Sequence, residues 1–168
     1  NMTIDKYIAL FIFIGLLILP LLSSRYSVQI FGKYITYTIL ALGLDIRQPH
    51  DFDAALNASV ARFGSLHVLV NNAALTLATP VMDIGVDEFD RVISTNLRGT
   101  FVGCQTMGRY FASRGYGRII NLASLAGQNG GTASGAHYAA SKGGILTLTK
   151  VFARELAKSG VTVNAIAP

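Results

Sequence analysis

From Asp45 to Pro168 short apolar runs alternate with longer amphipathic stretches, and this restricts the segment to strands and helices in βαβ order around a parallel sheet. Phe52 to Phe63 is predicted to be the first helix, because Phe52, Leu56, Val60 and Phe63 recur at helical spacing and form a face suited to packing on a sheet. Gly64 is expected to stop it. His67 to Val70 then reads as a strand delivering the turn Asn71-Asn72-Ala73-Ala74. A long helical stretch covers roughly Val86 to Ser113. Gly115 and Gly117 break it ahead of a strand, Arg118 to Leu122, whose end carries Ser124. A Gly- and Ser-rich loop leads into a helix over Ala136 to Ser159, and Val161 to Ile166 reads as the last strand.

The first 44 residues differ in kind. Ile, Leu, Phe and Tyr dominate them, and Asp5, Lys6, Arg25 and Lys33 are their only charges. Tyr7 to Ser24 runs eighteen residues without a charge, the lower limit for a membrane-spanning helix, with Pro20 placed to kink or end it. Tyr34 to Leu44 is too short to span a bilayer alone. Leu21-Leu22-Ser23-Ser24 offers no small-x-small cleavage pattern, which favours insertion over export. The net charge of +5 is scattered without a Lys/Arg run and gives no support to nucleic-acid binding. Cys104 is the single cysteine, so there is no internal disulfide, and a buried small residue is its expected role.

Four residues of the second portion carry chemistry. In a helix Tyr138 and Lys142 lie one turn apart on the same face and can enter one site. A phenol is a poor base at neutral pH, but a neighbouring ammonium favours the phenolate, so the pair is suited to shuttling a proton. Alone, such a pair is common on helix surfaces. Ser124 adds a strand-end hydroxyl able to hydrogen-bond a carbonyl oxygen as charge develops on it. Asn96 falls inside a helical stretch, where asparagine is mildly unfavourable, and is either functional or an exposed polar position beside Gly99.

With Asn71-Asn72-Ala73, Asn96-Leu97-Arg98-Gly99-Thr100, Ile119-Ile120-Asn121-Leu122-Ala123-Ser124, Tyr138-Ala139-Ala140-Ser141-Lys142 and Val163-Asn164-Ala165-Ile166-Ala167-Pro168, the chain from Asp45 to Pro168 resembles the middle of a short-chain dehydrogenase/reductase. The resemblance implies an α/β fold with an incomplete Rossmann-like parallel sheet and flanking helices, preceded by the hydrophobic helical segment. It implies an NAD(P)-dependent oxidoreductase acting on a small carbonyl or hydroxyl compound. Tyr138 would be the acid/base. Ser124 would orient the carbonyl, Lys142 would hold the nicotinamide ribose and favour the phenolate, and Asn96 would support a water-linked proton relay to Lys142. Asp45 and Ile46 would border the adenine pocket, Asn71 and Ala73 would line the cofactor cleft, and Pro168 would close on the cofactor as well. The helices matching Val86 to Ser113 and Ala136 to Ser159 would pack against a second copy in a homo-oligomer.

The chain departs from this pattern at Ala74, where the family usually has glycine, and at His67, where it often has aspartate; His67 is assigned no role. The family's Gly-rich phosphate loop has no counterpart in the sequence, since neither Gly15 nor Gly32-Lys33 has clustered glycines after a strand. Leu16-Leu17-Ile18-Leu19-Pro20-Leu21-Leu22, Gly32-Lys33-Tyr34-Ile35 and Ala41-Leu42-Gly43-Leu44-Asp45 resemble the first transmembrane region of urea or branched-chain amino-acid ABC transporter permeases. Two parts are therefore expected: a permease-like segment over 1–44, and over 45–168 a reductase core fragment lacking the Gly-rich loop and the C-terminal substrate region. The chain is accordingly expected to be an incomplete or chimeric reductase of impaired activity. The competing reading is a non-catalytic, membrane-anchored association module. The reductase part is expected in the cytoplasm, anchored through residues 7–24 if that helix forms.

Overall fold

The computed structural model describes residues 45–132 and 134–168. Helix α1 spans Pro49–Phe63 and begins three residues before its predicted start, because Pro49 occupies the first turn, where its missing N–H is not needed. It ends at Gly64, whose N–H bonds to the Val60 carbonyl. Strand β1 follows at Val68–Asn71, then a 3₁₀ turn at Val81–Asp83 and helix α2 at Val86–Ile93. Helix α3 covers Gly99–Arg114 and strand β2 Gly117–Leu122. A short helix, α4 (Ala126–Asn129), precedes the long α5 (Ala136–Leu156), which runs through a 3₁₀ turn at Ala157–Ser159 into β3, Val161–Ile166.

The strands form a parallel sheet in the order β1-β2-β3, with Val68 opposite Arg118 and Asn71 opposite Asn121 on one side of β2, and Gly117 opposite Val161 and Leu122 opposite Ile166 on the other. Alternation sends Ile119, Val161 and Val163 to a single face, where they meet Val102, Cys104, Met107 and Phe111 of α3 and the half-buried Phe152 and Leu156 of α5. Phe111 and Ile119 are fully buried, and each such side chain contributes about 1.5–3 kcal/mol by leaving water. On the opposite face Val68, Val70 and Ile166 are 45%, 52% and 51% exposed, so among the described residues the sheet is covered on one side only.

One expectation needs correction. The apolar face of α1 does reach the core shared by the sheet and α3: Phe52 belongs to the cluster of Ile119, Val161 and Val163 and closes over Gly103, where a Cβ would strike its ring. Val86 to Ser113, however, is not one continuous α-helix, because a π-helical turn at Ser94–Arg98 separates α2 from α3. Such an insertion bulges the ladder and re-aims the side chains inside it. Tyr7 to Ser24 lies outside the described residues, and no described helix is long and apolar enough to cross a membrane.

Candidate active site

Ser124 follows the carboxyl end of β2 and Lys142 reaches it, the edge at which open α/β sheets bind ligands. Lys142, on the second turn of α5, is 3% exposed and donates from Nζ to the Leu122 carbonyl at the end of β2. Burial pushes its ammonium below the ordinary lysine range. The Lys142 Nζ lies 5.6 Å from the centroid of the Tyr138 ring, so the two side chains do share one face of α5. Two residues beyond Leu122, the half-buried Ser124 accepts a bond from the Ala126 N–H at its Oγ (3.2 Å).

Gly127 sets the spacing of these groups. Its N–H bonds to the Ser124 carbonyl (3.0 Å), and its Cα lies so close to the Lys142–Gly143 peptide that a Cβ would overlap backbone atoms. The loop carrying Ser124 is thereby seated on the helix carrying Lys142. On the other side of the loop the Leu125 N–H donates to the Pro168 carbonyl (2.8 Å), which brings Pro168 to the end of β2.

Asn96 is fully buried, which excludes the exposed alternative. The π turn directs it inward, where Oδ1 accepts from the Leu75 N–H (2.7 Å) and Nδ2 donates to the Leu75 carbonyl (2.9 Å) and to Ser141 Oγ (3.0 Å). Its side chain thus joins the segment after β1 to α5, and only its backbone is left to serve a relay toward Lys142. That carbonyl already accepts from Thr100 Oγ1 (2.8 Å).

The residues assigned to the cofactor separate into two groups. Ile46, Asn71 and Ala73 line one cleft of about 80 Å³, together with Asn72, Gly99 and Thr100. Gly99 is needed there, since a Cβ would collide with the Ile46 side chain. Asn71 also donates from Nδ2 to Asn121 Oδ1 (2.8 Å), and Asn121 donates in turn to Thr149 Oγ1 (3.0 Å), a polar chain tying β1 through β2 to α5. Asp45 is not among the cleft-lining residues. The Arg47 guanidinium holds it through paired bonds of 2.8 and 2.7 Å and lowers its carboxyl to about 2.

A further group had escaped the sequence reading. His137, fully buried beside Tyr138, bonds through Nε2 to Glu88 Oε1 (2.9 Å) and through Nδ1 to the Tyr138 N–H (2.9 Å). The Thr79 hydroxyl and then the His137 ring hold the Glu88 carboxyl below the usual carboxylate range. The available signal was a histidine in the first turn of a helix, two residues after Gly135, which leaves room for its ring.

A sequence model of the short chain dehydrogenase family matches residues 28–168. The chain belongs to that family. The match starts upstream of Asp45, inside the stretch likened above to permeases. The 3-oxoacyl-(acyl-carrier-protein) reductase FabG of Staphylococcus aureus (strain Mu50 / ATCC 700699) is 41% identical over 128 residues, covering 76% of this chain and 52% of that protein. Among solved structures, NAD+-bound xylitol dehydrogenase superposes with a TM-score of 0.70 at 36% identity, over 74% of this chain and 48% of the other. ElxO with NADP bound gives a TM-score of 0.70 at 32% identity, over 74% and 50%. This member of the short chain dehydrogenase family spans about half the length of the curated relatives it matches.

Proposed function

We propose that this chain carries the catalytic half of an NAD(P)-dependent carbonyl/alcohol oxidoreductase, with Tyr138 as acid/base, Lys142 as its charged neighbour and Ser124 as the hydrogen-bond donor to the substrate oxygen. The observation that carries this reading is the buried Lys142 ammonium beneath the Tyr138 ring. An ammonium has three donors, and Leu122 takes one, which leaves N–H groups suited to the hydroxyls of a ribose. The cleft of Ile46, Asn71, Asn72, Ala73 and Thr100 combines apolar and polar residues and is proposed to border the adenine.

When bound, the nicotinamide supplies a hydride to the carbonyl carbon or removes one from the alcohol. In the reducing direction the Tyr138 phenol gives its proton to the substrate oxygen, and the phenolate left behind is stabilised by Lys142. Ser124 Oγ–H hydrogen-bonds the same oxygen as negative charge gathers on it. In the oxidising direction Tyr138 takes the proton back. The substrate is proposed to be a small carbonyl or hydroxyl compound, by likeness to the 3-oxoacyl reductase and the xylitol dehydrogenase.

The exposed Phe101 and the apolar groove lined by Ile93, Leu97, Phe101 and Leu148 between α2–α3 and α5 favour association through the two long helices. This also supports the second reading, an association module without catalysis. Titration with NADH and NADPH, followed by nucleotide fluorescence, separates the two. Saturable binding weakened by Lys142→Ala and retained in Tyr138→Phe supports the oxidoreductase. A folded, oligomeric chain that binds neither nucleotide overturns it.

A further inference from the structure

Tyr138 is held at both ends of its own residue by side chains that lead back to one helical run. At its N–H, the His137 Nδ1 accepts at 2.9 Å, sharing that proton with the Gly135 carbonyl at 3.0 Å, and the His137 Nε2 reaches Glu88 Oε1 on α2. At its carbonyl, Ser141 Oγ donates at 2.7 Å, and the Ser141 Oγ in turn accepts from Asn96 Nδ2 in the π turn that continues α2. His137, Ser141 and Asn96 are all fully buried. No other residue of the first two turns of α5 has both its backbone donor and its backbone acceptor bonded to side chains among the described residues.

We infer that Glu88–His137 and Asn96–Ser141 are two arms of a clamp that fixes Tyr138, making His137 and Ser141 positioning residues for the proposed acid/base. The inference rests on the reading of Tyr138 given above. Its logic is geometric. A residue of a helix's first turn keeps unpaired N–H groups and frays unless capped. Here the Tyr138 N–H has two acceptors, the Gly135 carbonyl and the ring of the preceding residue, and the ring is the one that links it to another helix. Because Nδ1 accepts, the ring proton sits on Nε2 and points at the Glu88 carboxylate. The hydroxyl of Ser141 is likewise oriented, accepting from the Asn96 amide and donating to Tyr138. Both arms start from α2 and its π turn, so α2 and α5 cannot slide past one another without releasing the tyrosine.

The test uses the full chain with ¹³C-labelled tyrosine rings, the Tyr138 signal being assigned from Tyr138→Phe, and ¹⁵N-labelled histidine. The wild type is expected to show His137 with its proton on Nε2. In His137→Gln, which keeps a donor toward Glu88 but loses the acceptor next to Tyr138, and in Ser141→Ala, the Tyr138 signal is expected to move. His137→Asn places an amide oxygen near the Nδ1 position and is expected to recover most of the wild-type signal. Where the wild type turns over substrate, His137→Gln lowers kcat on the order of tenfold and leaves KM within about twofold, as displacement of a catalytic group does. Glu88→Gln, at a half-buried position, provides the same readout should a buried variant fail to fold.

A proton on Nδ1 overturns the clamp. So does a Tyr138 signal that stays at its wild-type position in His137→Gln and Ser141→Ala while their melting temperatures fall, because the two residues would then serve stability alone. Turnover that survives Tyr138→Phe sinks the acid/base reading instead, and the ring signals still decide the clamp.

Discussion

Asn96 and Ser141, 45 residues apart in sequence, meet through a 3.0 Å hydrogen bond in the fully buried space between the π turn and α5. With its two bonds to Leu75, Asn96 closes three elements around one amide. Replacing it with leucine would leave the Leu75 N–H and carbonyl and the Ser141 hydroxyl short of partners in the interior. Each orphaned group costs about 1–3 kcal/mol, so Asn96→Leu is expected to destabilise the fold by about 3 kcal/mol or more. Urea unfolding followed by circular dichroism measures this, and a loss under about 1 kcal/mol would show that water replaces the amide.

Gly127 should be as sensitive for a steric reason. A methyl group there overlaps the Lys142–Gly143 peptide, and backbone cannot move aside as a flexible side chain can. Gly127→Ala is expected to cost about 1–3 kcal/mol by overpacking and to shift Ser124 away from Lys142. The accompanying readout is nucleotide binding, which depends on Lys142 and should weaken. Unchanged stability and binding would mean that α4 is seated on α5 more loosely than its packing indicates.

Much of this is legible in the sequence. Val161 to Ile166 falls where the apolar alternation places it, and α1, β2 and α5 differ from expectation by one to three residues at their ends. Periodicity suffices there because each element buries one regular face. It fails at Ser94–Arg98, since a π turn leaves the composition of a helix unchanged and only its ladder altered. Tyr138 and Lys142 were readable as a pair from helical geometry. His137 was not, because its role depends on Glu88, 49 residues away, and on the tautomer that the Tyr138 N–H imposes. The boundary at Leu44-Asp45 is a different matter. Apolarity alone does not assign a run such as Tyr34 to Leu44, too short to span a bilayer, to helix or to buried strand, and the family match extends through it to residue 28.

The buried Lys142 carries a pH signature. Its folded pKa lies below the unfolded value because burial disfavours the charge, so between the two values the unfolded chain binds the extra proton. Stability therefore rises with pH as the solution climbs from below the folded value toward the unfolded one, about 10.4. Below that window the penalty for burying the ammonium is present in full. The difference in unfolding free energy between the wild type and Lys142→Met, measured from neutral pH up to about pH 10, should move in favour of the wild type as pH rises. A difference that stays flat would show that Nζ reaches solvent in the folded state.

Cys104 offers the last and simplest check on the core. It is fully buried on α3, with Sγ 3.5 Å from both Asn71 Nδ2 and Asn121 Oδ1. Burial raises its thiol to about 11, although the two asparagine contacts act weakly in the other direction. At pH 8 the folded chain therefore holds almost none of the thiolate that attacks a disulfide reagent, and the sulfur is also out of reach. Reaction with an aromatic disulfide reagent should be on the order of a hundredfold slower in the folded chain than in urea. It should follow the unfolding curve as urea is added. Rapid labelling without denaturant would mean that the sheet and α3 part readily at Asn71–Cys104–Asn121, and the polar chain through Asn121 to Thr149 would then be too weak to anchor the end of β1.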